Sequence, residues 1–430
     1  MIKPGGSLHG EITVPGDKSI TQRAYIFAAM ASGTTRILEP LRAEDTDSTL
    51  DAVRSLGPMI MDMGKEVSIA GEGLRSFTEP CNVVDLGNSG TGARLLAGLF
   101  SSCPFLSVLT GDDSLRKRPM ARITEPLRLM GAVIDGRADG TLLPLSIRGG
   151  KLKGINYTSP VASAQVKSCV LIAALNAKGR TIFTEPALSR DHTERMLSGM
   201  GIKIVQEGRS LVVDGGQTPE ATIIKVPGDL SSAAFFMVAG TVMDGSDLVV
   251  RNVGVNPTRT GIIQLLEAMG ANISVMPQEG EGEPIADIRV QGTDSLKGID
   301  IPEDWIPALI DELPIAAVLA AAADGVTQLR GASELRVKES DRIMATVQML
   351  SRAGVKVEEL KDGFRIHGPA LISGSDQTSH GDHRIAMSSA ILSLLAESES
   401  KVSDTACVLT SFPDFTDILN GFLPGSVKEI

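Results

Sequence analysis

With 430 residues the chain is too long for one ordinary domain, and two or three are expected. Its 42% hydrophobic content, 45 glycines and 3% aromatics suit a packed α/β protein with many tight turns. A net charge of −11 argues against nucleic acid or an anionic membrane surface as a partner. The sequence holds no apolar run of about 18 residues to span a membrane. Its four scattered cysteines argue for a reducing cytoplasm and against a zinc site.

The opening MIKPGGSLHGEITVPG goes straight into strand-like alternation, and no signal or transit segment is expected there. VPGDKSITQRAYIFAAMASGTTRI then reads as a turn, a helix of small residues, a glycine and a β-branched strand. VPGDLSSAAFFMVAGTVMDGSDLVV repeats that grammar about 210 residues later, with Leu230 where the first copy has Lys18. Four further segments follow it: NSGTGARLLAGLFSSCPFLSV, SAQVKSCVLIAALNAKGRTIF, DELPIAAVLAAAADGVTQL and DHRIAMSSAILSLLAESESKV. The six recur at intervals of about 70 residues. Between them run polar helices that stop at a glycine, in LDAVRSLGPMI, EPLRLMGAVI, TERMLSGMGIKI, IQLLEAMGANI, MLSRAGVKV and the degenerate TDILNGFLPGSV. Each unit therefore holds a buried helix, an amphipathic covering helix and roughly four strands.

Six such units exceed one core, so two three-unit domains are expected. The first spans 18–225; the second spans 226–430 together with 1–17. The two PGD turns, near 15–18 and 226–229, are read as paired crossovers that act as hinges. The strand before Pro15 is expected to complete the second domain's last sheet. Lys18 is not needed for a hinge, which points to another use.

The repeats diverge where their buried helices begin, and helix N-termini bind anions. Those ends carry Lys18, Ser19 and Arg23; Asn88, Ser89 and Gly90; Ser163, Ala164 and Gln165; Asp311 and Glu312; and Asp382, His383 and Arg384. The covering helices begin with Arg116, Lys117 and Arg118, with Arg190, Asp191 and His192, and with Arg336, Lys338, Glu339 and Arg342. So many cations suggest a substrate carrying phosphate and carboxylate, which the planar fork of arginine binds bidentately. Plainer readings stand beside this one. Ser19 with Gln22 reads equally as a capping box. Lys18 alone reads as a solvated turn lysine, and Asp311 as an N-cap ahead of Pro314. KESDR reads as a charged helix face, and the i,i+3 histidines of HGDH as structural rather than metal-binding. Arg384, inside an otherwise apolar helix, needs a partner.

Taken together, VPGDKSITQRA, LGNSGTGAR, LTGDDSLRKRPM, SAQVKS, LRVKESDR and DHRIAM resemble the motifs of the EPSP synthase (3-phosphoshikimate 1-carboxyvinyltransferase) family over essentially the whole chain. VASAQVKS and NPTRTG look like its divergent, class II-like bacterial branch. The resemblance implies an α/β chain of α+β type. Its fold would be a two-domain inverse α/β barrel-like arrangement of six βαβαββ repeats, three per domain, with the active site in the interdomain cleft. The activity it implies is transfer of the enolpyruvyl group of phosphoenolpyruvate to the 5-hydroxyl of shikimate 3-phosphate, without metal or organic cofactor. It further implies a cytoplasmic, monomeric enzyme and glyphosate as an inhibitor.

Site roles follow from the same resemblance. Lys18, Ser19, Arg23, Ser163, Ala164, Gln165, Ser189, Asp311 and Lys338 would hold shikimate 3-phosphate. Lys18, Gly90, Arg118, Gln165, Arg342 and Arg384 would hold phosphoenolpyruvate. Asp311 would be the general base on the 5-hydroxyl, and Glu339 would move the proton at the methylene carbon. How Lys18, Asp311 and Glu339 share the proton transfers stays open, because coupled groups titrate together. The chain departs from the better-known branch at His192 (usually tyrosine), Glu334 (asparagine), Thr410 (lysine) and Leu95 (proline), which puts the Glu334 and Thr410 contacts in doubt.

The sister family that acts on UDP-N-acetylglucosamine uses a cysteine in the loop before its RP motif. Here that loop, TGDDSLRKRP, has none. A non-catalytic repeat scaffold would leave the charges at these helix ends unexplained. A polynucleotide-binding relative is disfavoured by the acidic charge and scarce aromatics.

Overall fold

A computed structural model describes residues 1–74, 76–280 and 282–428. The chain divides into two compact units, Gly16–Val226 and Met1–Pro15 with Pro227–Ile430.

In the first unit the buried helices are α1 (Lys18–Met30), α3 (Gly90–Ser102) and α5 (Ala164–Leu175). The covering helices are α2 (Glu44–Arg54), α4 (Ala121–Met130) and α6 (His192–Gly199). Side chains of α1, α3 and α5 are buried nearly all round, which is why these segments read as Ala, Leu and Ile without a polar face. Three four-stranded sheets surround them. In each, an entry strand lies parallel to its neighbour and the other pairings are antiparallel. Asn156–Thr158 runs parallel to Arg180–Thr184, for instance, which pairs antiparallel with Ser210–Asp214. The entry strand of the first sheet is Ile223–Lys225, from the far end of the unit, so the last segment closes onto the first repeat.

Glycine serves close approach here. A Cβ on Gly71 would lie 2.4 Å from the Ala31 carbonyl oxygen at the end of α1, and one on Gly149 would lie 2.3 Å from that of Phe100 at the end of α3. Strands thus pack directly on helix C-termini.

The second unit repeats the plan with buried helices α7 (Leu230–Val242), α9 (Leu313–Ala322) and α11 (His383–Leu394). Its covering helices are α8 (Gly261–Ala268), α10 (Arg342–Arg352) and α12 (Phe415–Phe422). Phe235 and Phe236 of α7 meet Phe412 and Phe415 at centroid separations of 5.8–6.0 Å, and Phe412 meets Phe415 at 5.6 Å. Burying each ring contributes about 1.5–3 kcal/mol. The sheets here decay along the chain, from four strands to three to two. In the middle one, isolated parallel bridges at Lys297 and Asp300 stand in for the entry strand.

Two expectations are corrected. The N-terminal strand His9–Thr13 does not complete the last sheet; it runs parallel to Asp247–Gly254 in the sheet of the fourth repeat. Gly10 and Ile12 stand opposite Leu248 and Val250, while Ile2 bridges to Ser400 and Val427. Ser19 and Gln22 do not form a capping box either. Asp17 is the N-cap of α1 and accepts from the Ile20 N–H at 2.8 Å. Asp229 caps α7 in the second copy, so the aspartate of the PGD turn explains the repeat of that turn. Among the described residues no single helix is long and apolar enough to cross a membrane.

Candidate active site

The first turns of α1, α3 and α5 are stitched to one another. Gln22 of α1 donates to Ser89, the N-cap of α3, at 2.6 Å. Gln165 of α5 donates to Thr91 at 2.8 Å and accepts from Arg94 of α3 at 2.6 Å. Arg23 of α1 donates to Ser168 of α5 at 3.0 Å and to Thr193 of α6 at 2.8 Å. Three helix N-termini therefore meet, and their free N–H groups and aligned dipoles favour an anion. Ser163 caps α5, so Ala164 and Gln165 open that helix. Ser19 is half-buried, and its carbonyl accepts from Arg23.

Lys18 stands at the first position of α1 and pairs with Asp45 at 3.0 Å, its side chain 17% exposed. Arg118, buried, lies against Gly90: a Cβ there would come within 2.7–2.9 Å of the guanidinium. Only a glycine lets that arginine lie along the start of α3. Ser189 is held through Glu185, which accepts from its hydroxyl at 2.6 Å and its N–H at 3.0 Å. Glu185 in turn pairs with Lys167, which also meets Glu194 at 2.7 Å. Burial pushes the Glu194 carboxyl above its usual range, and Lys167 offsets part of that rise.

The second unit gathers a denser charge cluster. Arg342, 1% exposed, opens α10 and spreads its fork over three carboxylates. It reaches Asp382 at 2.8 Å, Glu339 at 2.6 Å and Asp311 at 3.3 Å. Burial works against its charge, but the three carboxylates outweigh it and raise its pKa. Asp382 is fully buried, caps α11 and accepts from the Arg384 N–H. Lys338 reaches Asp311 at 3.3 Å. Arg384 donates to the Asp311 carbonyl at 2.9 Å and lies 3.7 Å from Glu312. Glu312 also accepts from Ser231 of α7 and faces Arg259 at 3.8 Å.

Asp311, Lys338, Glu339, Arg342 and Arg384, scattered over some 70 residues of sequence, thus share one network. Asp311 is not an N-cap; Glu312 holds that position on α9. Thr410 bonds the Cys407 carbonyl at 2.7 Å and stands 3.5 Å from His383. His192 is buried at the start of α6, and Glu334 lies in a short 3-10 turn, Ser333–Val337.

Sequence reasoning passed over Asp45, Arg94, Lys167, Glu185 and Arg259. Arg94 and Lys167 carried a usable signal: each is a cation inside an apolar helix, the feature that singled out Arg384. Asp45 and Glu185 carried none, because an acidic residue near a helix start or strand end usually faces water.

Two charge networks at helix N-termini, one per unit, suit the handling of anionic substrates, and comparison with known proteins gives that chemistry a family. The EPSP synthase (3-phosphoshikimate 1-carboxyvinyltransferase) family model matches residues 2–419. The 3-phosphoshikimate 1-carboxyvinyltransferase of a Bacillus cereus strain is 50% identical over 420 residues, which is 97% of this chain and 98% of that protein. The Bacillus anthracis protein of the same name matches equally. The EPSP synthase structure from Acinetobacter baumannii superposes with a TM-score of 0.88 at 46% identity, covering 98% of this chain and 97% of that one. NikO of Streptomyces tendae, an enolpyruvyl transferase, shares the fold at a TM-score of 0.74 and 16% identity. On the strength of the match along its length, the chain belongs to the EPSP synthase (3-phosphoshikimate 1-carboxyvinyltransferase) family.

Proposed function

We propose that the protein adds the 5-hydroxyl of shikimate 3-phosphate to the double bond of phosphoenolpyruvate and then expels phosphate, leaving the enolpyruvyl ether. The observation that carries this reading is the Asp311–Lys338–Arg342–Glu339 network, in which two carboxylates share two cations. Addition and elimination need a base, an acid and fixed positive charge. In this reading Asp311 takes the proton of the 5-hydroxyl, which Lys338 also contacts. Glu339 gives a proton to the methylene carbon and then removes one. Arg118, Arg342 and Arg384 bind phosphoenolpyruvate together with Lys18, Gly90 and Gln165. Ser19, Arg23, Ser163, Ala164, Gln165 and Ser189, with Lys18, hold shikimate 3-phosphate. Lys18 and Arg342 already have carboxylate partners, Asp45 and Asp311, Glu339 and Asp382. Substrate anions therefore exchange with these partners rather than meeting bare charge, which keeps the cations oriented beforehand. The reading takes the protein to be a cytoplasmic monomer.

Phosphate release from phosphoenolpyruvate tests this, with shikimate 3-phosphate and, as control acceptor, UDP-N-acetylglucosamine. Release with shikimate 3-phosphate alone supports the reading; release with the nucleotide sugar alone moves the activity to the sister reaction.

Gly90 adds a prediction about glyphosate. Its bare Cα leaves room beside the Arg118 guanidinium. Glyphosate is expected to inhibit. Gly90→Ala, whose methyl would displace that guanidinium, is expected to raise the half-inhibitory concentration and the KM for phosphoenolpyruvate, each by about tenfold or more, a 1.4 kcal/mol effect on binding. Dose–response curves for both proteins check it; equal curves would remove Arg118 from the site.

A further inference from the structure

We propose that Lys167 is a positioning residue for the shikimate 3-phosphate subsite, acting through Glu185 on Ser189 and through Glu194 on the helix that anchors Arg23. The inference rests on the functional reading above and names what holds that subsite in shape.

Lysine carries three donors and no acceptor. Here the Lys167 ammonium, on a side chain 2% exposed, meets Glu194 at 2.7 Å, Glu185 at 3.1 Å and the Ser189 carbonyl at 3.1 Å. Glu185 is 3% exposed, and its two oxygens accept from the N–H and the hydroxyl of Ser189. The N–H, the hydroxyl and the carbonyl of Ser189 therefore all end on one buried lysine–glutamate pair. A hydroxyl that donates to a carboxylate has its orientation set, so Ser189 offers its lone pairs to a hydroxyl of the shikimate ring and keeps no proton for the phosphate.

The same pair of sequence neighbours reaches further. Ser168, next to Lys167, accepts from Nη2 of Arg23, and Thr193, next to Glu194, accepts from Nε on the same edge of that guanidinium. The hydroxyls of Ser168 and Thr193 also bond each other at 2.7 Å. One interface between α5 and α6 thus fixes two groups placed on shikimate 3-phosphate, Ser189 and Arg23. Of the groups assigned to phosphoenolpyruvate alone, Arg342 and Arg384 lie in the other unit's network, while Gly90 and Arg118 meet at the start of α3. A positioning role predicts an effect on one substrate; a purely structural one does not.

The test is steady-state kinetics on the full chain, each substrate varied in turn, for Lys167→Met and for Lys167→Met with Glu194→Gln. The double variant removes the second carboxylate that would be left without its cation. The KM for shikimate 3-phosphate is expected to rise about tenfold or more while that for phosphoenolpyruvate stays within about twofold. Adding Ser189→Ala to Lys167→Met is expected to cost less than the product of the two single effects, since both act through one contact. Equal change in both KM values, a fall in active fraction with both KM values unchanged, or full multiplicativity overturns the proposal. Should the lysine variants not fold, Glu185→Gln replaces them. It keeps the volume and breaks the two-point hold on Ser189; the same split is expected, and unchanged KM values overturn the proposal. Wild-type turnover with shikimate 3-phosphate is measured first. Its absence removes the functional reading itself, whereas failure of the proposal appears only in the variants of an active wild type.

Discussion

Asp311→Asn is expected to lower kcat by about a hundredfold to ten-thousandfold, the usual cost of losing a general base, with little change in melting temperature. The asparagine keeps the size of the side chain and an oxygen that can still accept from Lys338 and Arg342, which now reach Asp311 at 3.3 Å each. The bond from the Arg384 guanidinium to the Asp311 main-chain carbonyl does not depend on the Asp311 side chain. What is lost is a group able to take a proton. Binding should survive, so both KM values are expected to stay within about fivefold. Single-turnover and steady-state rates, with a thermal melt as control, check this. A kcat within about tenfold of wild type would take the base role away from Asp311 and leave Lys18 and Glu339 as the candidates.

Arg342→Met is expected to act on folding first. Its guanidinium neutralises Asp382, which is wholly buried, and also serves Glu339 and Asp311. Removing one partner of such a buried set costs about 3–5 kcal/mol, because the remaining charge is left without compensation. In a unit of this size that corresponds to a fall of roughly 10 °C in melting temperature. Arg342→Lys separates charge from geometry. It restores a cation but not the planar fork, so it is expected to recover most of the melting temperature while the KM for phosphoenolpyruvate rises about a hundredfold. Melting curves and substrate-saturation kinetics on both variants decide it. If Arg342→Met melts within about 2 °C of wild type, well under the shift expected for a broken buried pair, the carboxylates are not held by this arginine. If Arg342→Lys keeps its KM, the arginine serves structure alone.

The legible and illegible parts of this chain separate by range. Repeats were legible because each unit writes the same local chemistry. A run of Ala, Leu and Ile marks a helix buried on all sides, and a glycine just past a polar helix marks its C-terminal cap, as at Gly131 and Gly354, both at positive φ. Candidate site residues were legible because they break that pattern at the helix starts. Partners were not. Asp45 pairs with Lys18 from 27 positions away and Glu185 pairs with Lys167 across 18, and nothing local marks either acid as buried. The capping box at Ser19 and Gln22 failed for a related reason: a buried glutamine found better acceptors in Asp45 and Ser89, which became available only when α2 and α3 packed beside it.

By itself the sequence determined the six-fold repeat, the buried and covering helices, the glycines that end the covering helices and the set of cations and acids at the helix ends. These depend on periodicity, capping and turn chemistry, all of which act over a few residues. The tertiary structure alone decided which sheet the N-terminal strand joins, which acid holds which cation, and that Arg342 and Lys167 each serve several carboxylates at once. Those choices rest on distances of about 3 Å between residues far apart in the chain, and charge pairs bury only where packing removes water from both partners.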